Sequence, residues 1–394
     1  MNRQIVAVLL SILSVISFTS CSDSPSSIGS DLLSGDGIIV SNLNSFTDSL
    51  QQSSSFYRDK ISLGNSSRLF LGKKNNFEAS ILLKFFYVLP DSLIATINND
   101  SLSVIQAKLR LSKGYVYSKD DESLPIDFTV HKVNSSWTAN FTEDSLQLLN
   151  YDMTDLSSDR SFSDTLYSFI LNSSEAMSWL EESADTSLPI SNGIYILPSQ
   201  SSQKIVGFEA FSEGLTNFAT LETVFQRLDG LTDTLYATLI ADVSILKETT
   251  PIPASTNIIL QAGLGYMSEL SFDLSSIPKN AVINYAELQV TKDTLSSVLG
   301  DEFTNSLLAF FVVDSATNEL DSTTSAALFS DDTSFSGNIT TYAQRWQSGE
   351  SNQGLLLIPS GLVEGLELFV LRGSTDADIS KRPRLKITYT TIKQ

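Results

Sequence analysis

The chain has 394 residues, of which 42% are hydrophobic, and its 45 acidic and 25 basic residues give a formal charge of −20. The hydrophobic share excludes a disordered chain, and the length favours more than one domain. The charge disfavours partners held by general electrostatics, namely nucleic acid and anionic lipid surfaces, because both repel an acidic protein. With Cys21 as the single cysteine, an internal disulfide and a cysteine-cluster metal site are excluded.

The first 21 residues have the layout of a secretory signal. Arg3 precedes an apolar stretch from Ile5 to Phe18 that is too short to span a bilayer, and small residues lead to Cys21. The run Phe-Thr-Ser-Cys resembles a bacterial lipobox, with Phe18 where leucine, valine or isoleucine is usual. The resemblance implies cleavage after residue 20 and a lipid anchor on Cys21 in the Gram-negative envelope, with the outer membrane favoured. The alternative is a secreted protein with an unmodified cysteine.

The segment after the cysteine is rich in serine, glycine and aspartate. This composition predicts that residues 21–45 form a flexible linker between the lipidated Cys21 and the folded part of the chain. The run CSDSPSSIGSDLL is similar to the start of a family of Gram-negative surface lipoproteins of unknown function.

Beyond the linker, alternating apolar and polar residues predict β-strands. In SVIQAKLRLSKG, Ala107 and Leu109 alternate with Lys108 and Arg110, and PIDFTVHKV follows the same pattern. Turn residues recur about every ten positions, and no long stretch has a sustained helical period. The sequence therefore predicts an all-β sandwich.

Two pairs of segments within the chain are similar to each other. Residues 79–114 align with 267–293 through the order of apolar strand, proline turn and apolar strand. Residues 175–199 align in the same chain order with 342–360. Self-similarity of this kind indicates an internal duplication.

The duplication predicts two sandwich domains, at 46–240 and 243–394, joined near the turn KETTPIPAS. The second alignment places Trp179 opposite Trp346, each in a short segment that predicts one helix across an end of its sandwich. We expect both tryptophans to pack in the core.

The second half also resembles a known family. ITTYAQRWQSGESNQGLLLIPS, followed by LFVLRGSTDADISKRPRLKITYT, resembles the C-terminal half of the DNRLRE family, a carbohydrate-binding-like β-sandwich of secreted bacterial proteins. The residues that carry the resemblance are Trp346, Gly349, Asn352, Gly354, Arg382, Pro383 and Leu385. The resemblance implies two jelly-roll-like sandwiches and, for some members, binding of acidic polysaccharide. The first half lacks the Arg-Pro pair.

Catalytic signals are weak. His131 is the single histidine, its strand position predicts an outward side chain, and no HExxH, GxSxG, Walker A or GxGxxG pattern is present. A carboxylate pair of the glycosidase type remains an alternative, because a chain with 45 acidic residues always offers some. The acidic turns at 120–122 and 376–378 could bind structural calcium, although solvated turns are the favoured interpretation. No cofactor is expected.

Two aromatic and five basic residues are candidates for ligand binding. Tyr115 and Tyr117 share one face of a strand end, where they could stack on sugar rings or pack in a hairpin. The basic candidates lie at outward positions of predicted strands and could bind an anionic glycan, or could protect strand edges from pairing. They are Lys108, Arg110, Arg382, Arg384 and Lys386.

Three hypotheses about function follow. The chain is a surface-anchored, non-catalytic lipoprotein that binds extracellular polysaccharide, or an adhesive or structural envelope component without a small ligand, or a carbohydrate-active enzyme. The first hypothesis predicts two partners, namely the membrane, through the anchor, and an extracellular polysaccharide, which could be acidic. The sequence does not give the oligomeric state.

Overall fold

The structure is a computed structural model that describes residues 37–48, 50–74, 76–185, 187–211, 218–301, 304–317 and 319–392. The signal segment, Cys21 and the linker up to residue 36 lie outside this part of the chain. None of the helices within these ranges has the length and apolar character needed to cross a membrane.

The described chain is mostly β-strand, and the strand pairings are antiparallel, which confirms the predicted all-β, sandwich-like class. We call the sheet formed by residues 68–248 the first unit. Its strands are β3 (Arg68–Lys74), β4 (Phe77–Phe86), β5 (Leu102–Val116), β6 (Phe128–Lys132), β7 (Ser157–Phe162), β8 (Leu166–Leu171), β9 (Ile194–Pro198), β10 (Ile205–Glu209), β11 (Thr220–Arg227) and β12 (Thr232–Glu248). Its helices are α1 (Asp91–Asn98) and α2 (Ser173–Ala184).

The second sheet, which we call the second unit, combines two distant parts of the chain. The N-terminal strands are β1 (Ile38–Asn44) and β2 (Gln52–Arg58). The others are β13 (Ile258–Gln261), β14 (Tyr266–Phe272), β15 (Val282–Thr291), β16 (Ser306–Asp314), β17 (Glu319–Ser330), β18 (Ser334–Asn338), β19 (Leu355–Pro359), β20 (Leu368–Leu371) and β21 (Arg384–Ile392). Its helix is α3 (Thr340–Gln347).

The two units have corresponding strand neighbours. In the first unit the order β10-β3-β4-β12-β11-β5 closes through a β10–β5 pairing. In the second unit the neighbours β20, β13 and β14 correspond to β10, β3 and β4. The pairing of β15 with β21 corresponds to that of β5 with β11. Even the irregularities correspond, because β5 skips Ile105 against β11 and β15 skips Asn284 against β21.

The N-terminal segment completes the second unit. In the first unit the single long strand β12 pairs with β11 and then with β4. In the second unit β1 pairs with β21 and β2 pairs with β14, so these two strands together occupy the place of β12. Residues 38–44 therefore belong to a sheet rather than to the predicted flexible linker, and residues 52–58 join the second unit rather than the first.

Each unit has its own apolar core. Ala107, Leu109 and Leu111 of β5 are buried as the alternation predicts, because successive side chains of a strand point to opposite faces. Trp179 on α2 and Trp346 on α3 are 4% and 8% exposed, which confirms the predicted core positions of the two tryptophans.

His131 departs from the sequence prediction. Its side chain is buried rather than outward, and its ring centroid lies 5.3 Å from that of Tyr151. Nε2 lies 2.7 Å from the hydroxyl of Thr129. The alternation along β6 correctly gives the face of Val130, but the opposite face is also covered, by the segment that contains Tyr151.

Candidate functional site

Tyr115 and Tyr117 lie between the two units and not on a ligand surface. They are 0% and 1% exposed and belong to an apolar cluster with residues of both units, which we call the seam. The seam contains Leu63, Phe70, Phe77, Ala79, Tyr115, Tyr117, Ile205, Leu246, Ile259, Leu264, Tyr266, Leu366 and Val370. A fully buried ring cannot stack on a sugar, so the prediction of a sugar-stacking pair is wrong.

Polar groups at the seam explain why Tyr115 is held there. Its hydroxyl donates to Oε1 of Glu367 at 2.9 Å and accepts from the backbone N–H of Leu366 at 3.3 Å. Burial raises the pKa of the Glu367 carboxyl. Arg58, at the end of β2, contacts Glu143 at 2.6 Å and Glu248 at 3.2 Å and thereby ties the N-terminal segment to the first unit.

Four of the five predicted basic residues have partners within the protein. Arg110 pairs with Glu222, and Lys386 lies 3.4 Å from Glu287. Arg384 donates from Nε to the side-chain oxygen of Asn44 at 3.2 Å, and its guanidinium lies over the ring of Phe46. These contacts neutralise or occupy the side chains.

Arg382 and Lys108 complete this set. Arg382 donates from Nε to the backbone oxygen of Asp376 at 2.7 Å. Lys108 lies on the same outer face of the first unit as Arg110, opposite Glu222. The structure thus places Lys108 and Arg110 on the first unit, and Arg382, Arg384 and Lys386 on the second, with carboxylates or carbonyls beside four of them. Their role in ligand binding stays a prediction.

The two acidic turns face cations of the protein. Asp121 is buried and lies 2.7 Å from Lys74, while Asp376 lies 3.7 Å from Arg372. Within the described ranges, no group of three or more histidine, cysteine, aspartate or glutamate side chains is arranged to bind a metal ion. The described residues therefore offer no group of side chains that supports the hypothesis of structural calcium.

A groove runs along the end of α3 in the second unit, and we call it the helix-end groove. Its deeper part has a volume of about 520 Å³ and is lined by Asp273, Leu274, Ser275, Ile277, Lys279, Trp346, Gln347, Ser348, Gly349 and Asn352. A second part, of about 430 Å³, is lined by Gln51, Gln52, Ser53, Ser271, Phe272, Asp273 and Asn352. The two parts are contiguous because they share Asp273 and Asn352.

Hydrogen bonds to the backbone fix the walls of the groove. Asn352 donates from Nδ2 to the carbonyl of Phe272 at 2.7 Å, and Gln347 donates from Nε2 to the carbonyl of Pro278 at 2.6 Å. The backbone N–H of Asp273 donates to the carbonyl of Gln51 at 2.8 Å. The loop after α3, the β14–β15 loop and the N-terminal segment are thereby held together.

Trp346 forms the floor of the deeper part. Its ring stacks on the ring of Phe311 at a centroid distance of 5.7 Å. The guanidinium of Arg345 lies over the same Phe311 ring, 3.8 Å from its centroid. Arg345 in turn bridges Asp321 and Glu350 at 2.6 and 2.8 Å. This packing fixes the loop that follows the helix.

Two polar atoms at the groove are left without a partner. Within the part of the chain that the structure describes, neither Nε1 of Trp346 nor Oε1 of Gln52 has a hydrogen-bond partner, although both atoms are buried. Buried polar groups are normally paired, because an unpaired one loses its bond to water and gains nothing. Nε1 of Trp179 in the first unit is also buried and unpaired, so the unpaired indole is a feature that both tryptophan helices share.

The corresponding end of the first unit is built differently. Helix α1 lies between β4 and β5, where the second unit has only the short β14–β15 loop. Leu93 and Ile97 of α1 are buried in the same core cluster as Trp179. The duplication thus gives each unit a tryptophan helix, and α1 packs against that end of the first unit.

The carboxylates beside the groove favour their ionised form. Hydrogen bonds from Ser275 lower the pKa of Asp273, and the hydrogen bond from Arg345 lowers the pKa of Glu350. A general acid needs a raised pKa, so neither carboxylate suits that role.

The sequence did not predict the groove, although it contained one signal of it. The predicted resemblance to the DNRLRE family, which no comparison supports, rested in part on Trp346, Gly349 and Asn352, and these three line the groove. Gln51, Gln52 and Ser53 carried no signal, because they come from the part of the chain taken for the start of the first unit. No protein-family model matches the chain, and a search of curated proteins finds no matching relative.

Proposed function

We propose that the protein is a non-catalytic lipoprotein, anchored in the cell envelope through Cys21, that binds extracellular polysaccharide in the helix-end groove. The observation that carries the binding proposal is the groove beside Trp346, which is lined by hydroxyl, amide and carboxylate side chains. Carbohydrates present alternating hydroxyl donors and acceptors, and such a lining can pair with them.

The charge of the groove favours an uncharged glycan. Its lining contains one carboxylate, Asp273, and one ammonium group, Lys279. The predicted cations that would bind an acidic polymer are mostly paired with carboxylates or carbonyls. On a protein of charge −20, an anionic polymer is repelled unless local cations are free to bind it.

Binding is tested with a glycan array followed by calorimetry on residues 22–394. We expect Gln51→Ala and Trp346→Phe to weaken binding of a neutral glycan, because each removes a groove group while keeping the fold. Gln106→Ala is the matched control, since Gln106, like Gln51, is an exposed glutamine but lies on the first unit. Equal affinities for the three variants would place binding elsewhere, and steep loss with salt would indicate an acidic ligand.

The anchor is tested in cells by labelling with an alkyne fatty acid. The signal layout and the accessible linker predict labelling of the wild-type chain and loss of the label in Cys21→Ala. Equal labelling of the two chains would contradict the anchor and favour an ordinary secreted protein.

A further inference from the structure

An apolar, uncharged face lies on the outside of the second unit, where the described chain begins. The outward side chains at the β1–β21–β15 corner include Ile38, Val40, Val282, Tyr285 and Ile392. Each of them is 44–69% exposed. We call these five side chains the entry face, because Ile38 begins the first strand that the structure describes.

The register places the entry face on one side of the sheet. Ile38 lies opposite Ile392, and Val40 lies opposite Thr390, which pairs on its other side with Val282. Leu43 and Ile387 are buried on the other side of the same two strands, so the even-numbered residues of β1 and β21 point outward.

Polar side chains that neighbour the entry face on the same strands are paired with each other. Thr388 donates from Oγ1 to Oδ1 of Asn42 at 2.8 Å, and Asn284 donates from Nδ2 to Oγ1 of Thr390 at 2.6 Å. Burial of this face would therefore leave few polar groups unsatisfied, which is the main cost of moving a sheet surface out of water.

Three of the equivalent positions of the first unit carry polar side chains. The strand correspondence places Ser103 at the position of Val282, Gln106 at that of Tyr285, and Thr232 at that of Val40. The first unit also exposes Ile105 and Leu228 at this corner. The entry face is therefore distinguished by its three apolar side chains Val40, Val282 and Tyr285 and by its place beside the tether.

We propose that the entry face rests on the lipid bilayer when the protein is tethered, an inference that depends on the proposed anchor at Cys21. The 15 residues between Cys21 and Gly37, as a flexible chain, span about 20 Å. The tether therefore holds the face near the bilayer at a high effective concentration, so a weak apolar contact suffices. The five side chains carry no charge, and Lys386, farther along the same side of β21, is paired with Glu287. A neutral lipid surface avoids the repulsion that an acidic protein meets at anionic lipid.

The test supplies the tether artificially. Residues 22–394, which contain no cysteine, carry a hexahistidine tag at the N-terminus and are bound to nickel-chelating lipid in phosphatidylcholine vesicles. An environment-sensitive dye is attached at Thr390→Cys in the entry face or at Gln226→Cys, its equivalent in the first unit. Lipids with a quencher in the acyl chain then report contact.

We expect quenching at position 390 and none at 226. Replacing Val40, Val282 and Tyr285 with the residues of the first unit (Val40→Thr, Val282→Ser, Tyr285→Gln) should lower the quenched fraction about tenfold, because membrane binding scales with buried apolar area. The reverse changes in the first unit, Ser103→Val, Gln106→Tyr and Thr232→Val, are the matched control and should leave quenching at 390 unchanged.

Equal quenching at the two positions, or no quenching at 390, overturns the proposal. A dye response at 390 that rises with protein concentration in the absence of vesicles also overturns it, because the partner is then a second copy. Since the tag replaces the acyl chain, these results are independent of whether Cys21 is acylated in cells.

Discussion

The hydroxyl of Tyr115 should contribute measurably to the stability of the seam. Tyr115→Phe keeps the ring, which packs beside Gly207 and Gly300, and removes one buried bond to Glu367 and one from the N–H of Leu366. A hydrogen bond to a charged group contributes about 1.5–3 kcal/mol, and the N–H of Leu366 also loses this acceptor. We therefore expect the free energy of unfolding to fall by about 1.5–3 kcal/mol.

Urea unfolding followed by fluorescence and circular dichroism measures this change. With a slope of about 3 kcal/mol per M, the midpoint should fall by about 0.5–1 M. Tyr285→Phe is the matched control, because Tyr285 is 44% exposed and lies on the outer face of β15, away from the seam. If the two variants unfold at the same urea concentration, the seam bonds contribute nothing and the reasoning is wrong.

Three further predictions concern the seam, the helices and the N-terminal segment. Burial raises the pKa of Glu367, so its contribution to the free energy of unfolding is complete below about pH 4.5 and declines as the pH rises through the folded-state pKa. The free energy of unfolding of Glu367→Gln minus that of the wild type should therefore increase between pH 4.5 and about 8. A difference that stays constant over this range would refute the prediction. Trp179→Ala and Trp346→Ala should each cost about 3–5 kcal/mol, confined to the altered unit in hydrogen exchange, whereas loss spread over both units would contradict separate cores. Deleting residues 37–58 should speed exchange in β14 and β21, which lose a pairing partner, while β4 and β11 keep theirs; equal protection in all four strands would argue against completion by the N-terminus.

Local patterns were sufficient for the strands and for the core tryptophans. Alternation along β5 gives the buried positions because each strand residue points to the opposite side from its neighbour, and this depends on the backbone alone. The same rule correctly places Lys108 and Arg110 outward. It gives the wrong result for His131, since whether the outer face of a strand is open depends on another segment of the chain.

Long-range pairing decided the rest. The sequence by itself determined an all-β chain with an internal repeat and a tryptophan helix in each half. Only the tertiary structure decided that residues 38–58 complete the second unit, because strand pairing selects partners by edge availability and register, and neither is written in a short stretch of sequence. The same pairing buries Tyr115 and Tyr117 between the units. It also brings Gln51 and Gln52 to the groove beside Trp346, some 300 residues away in the chain. A sheet can do this because its hydrogen bonds join segments without regard to their separation along the chain.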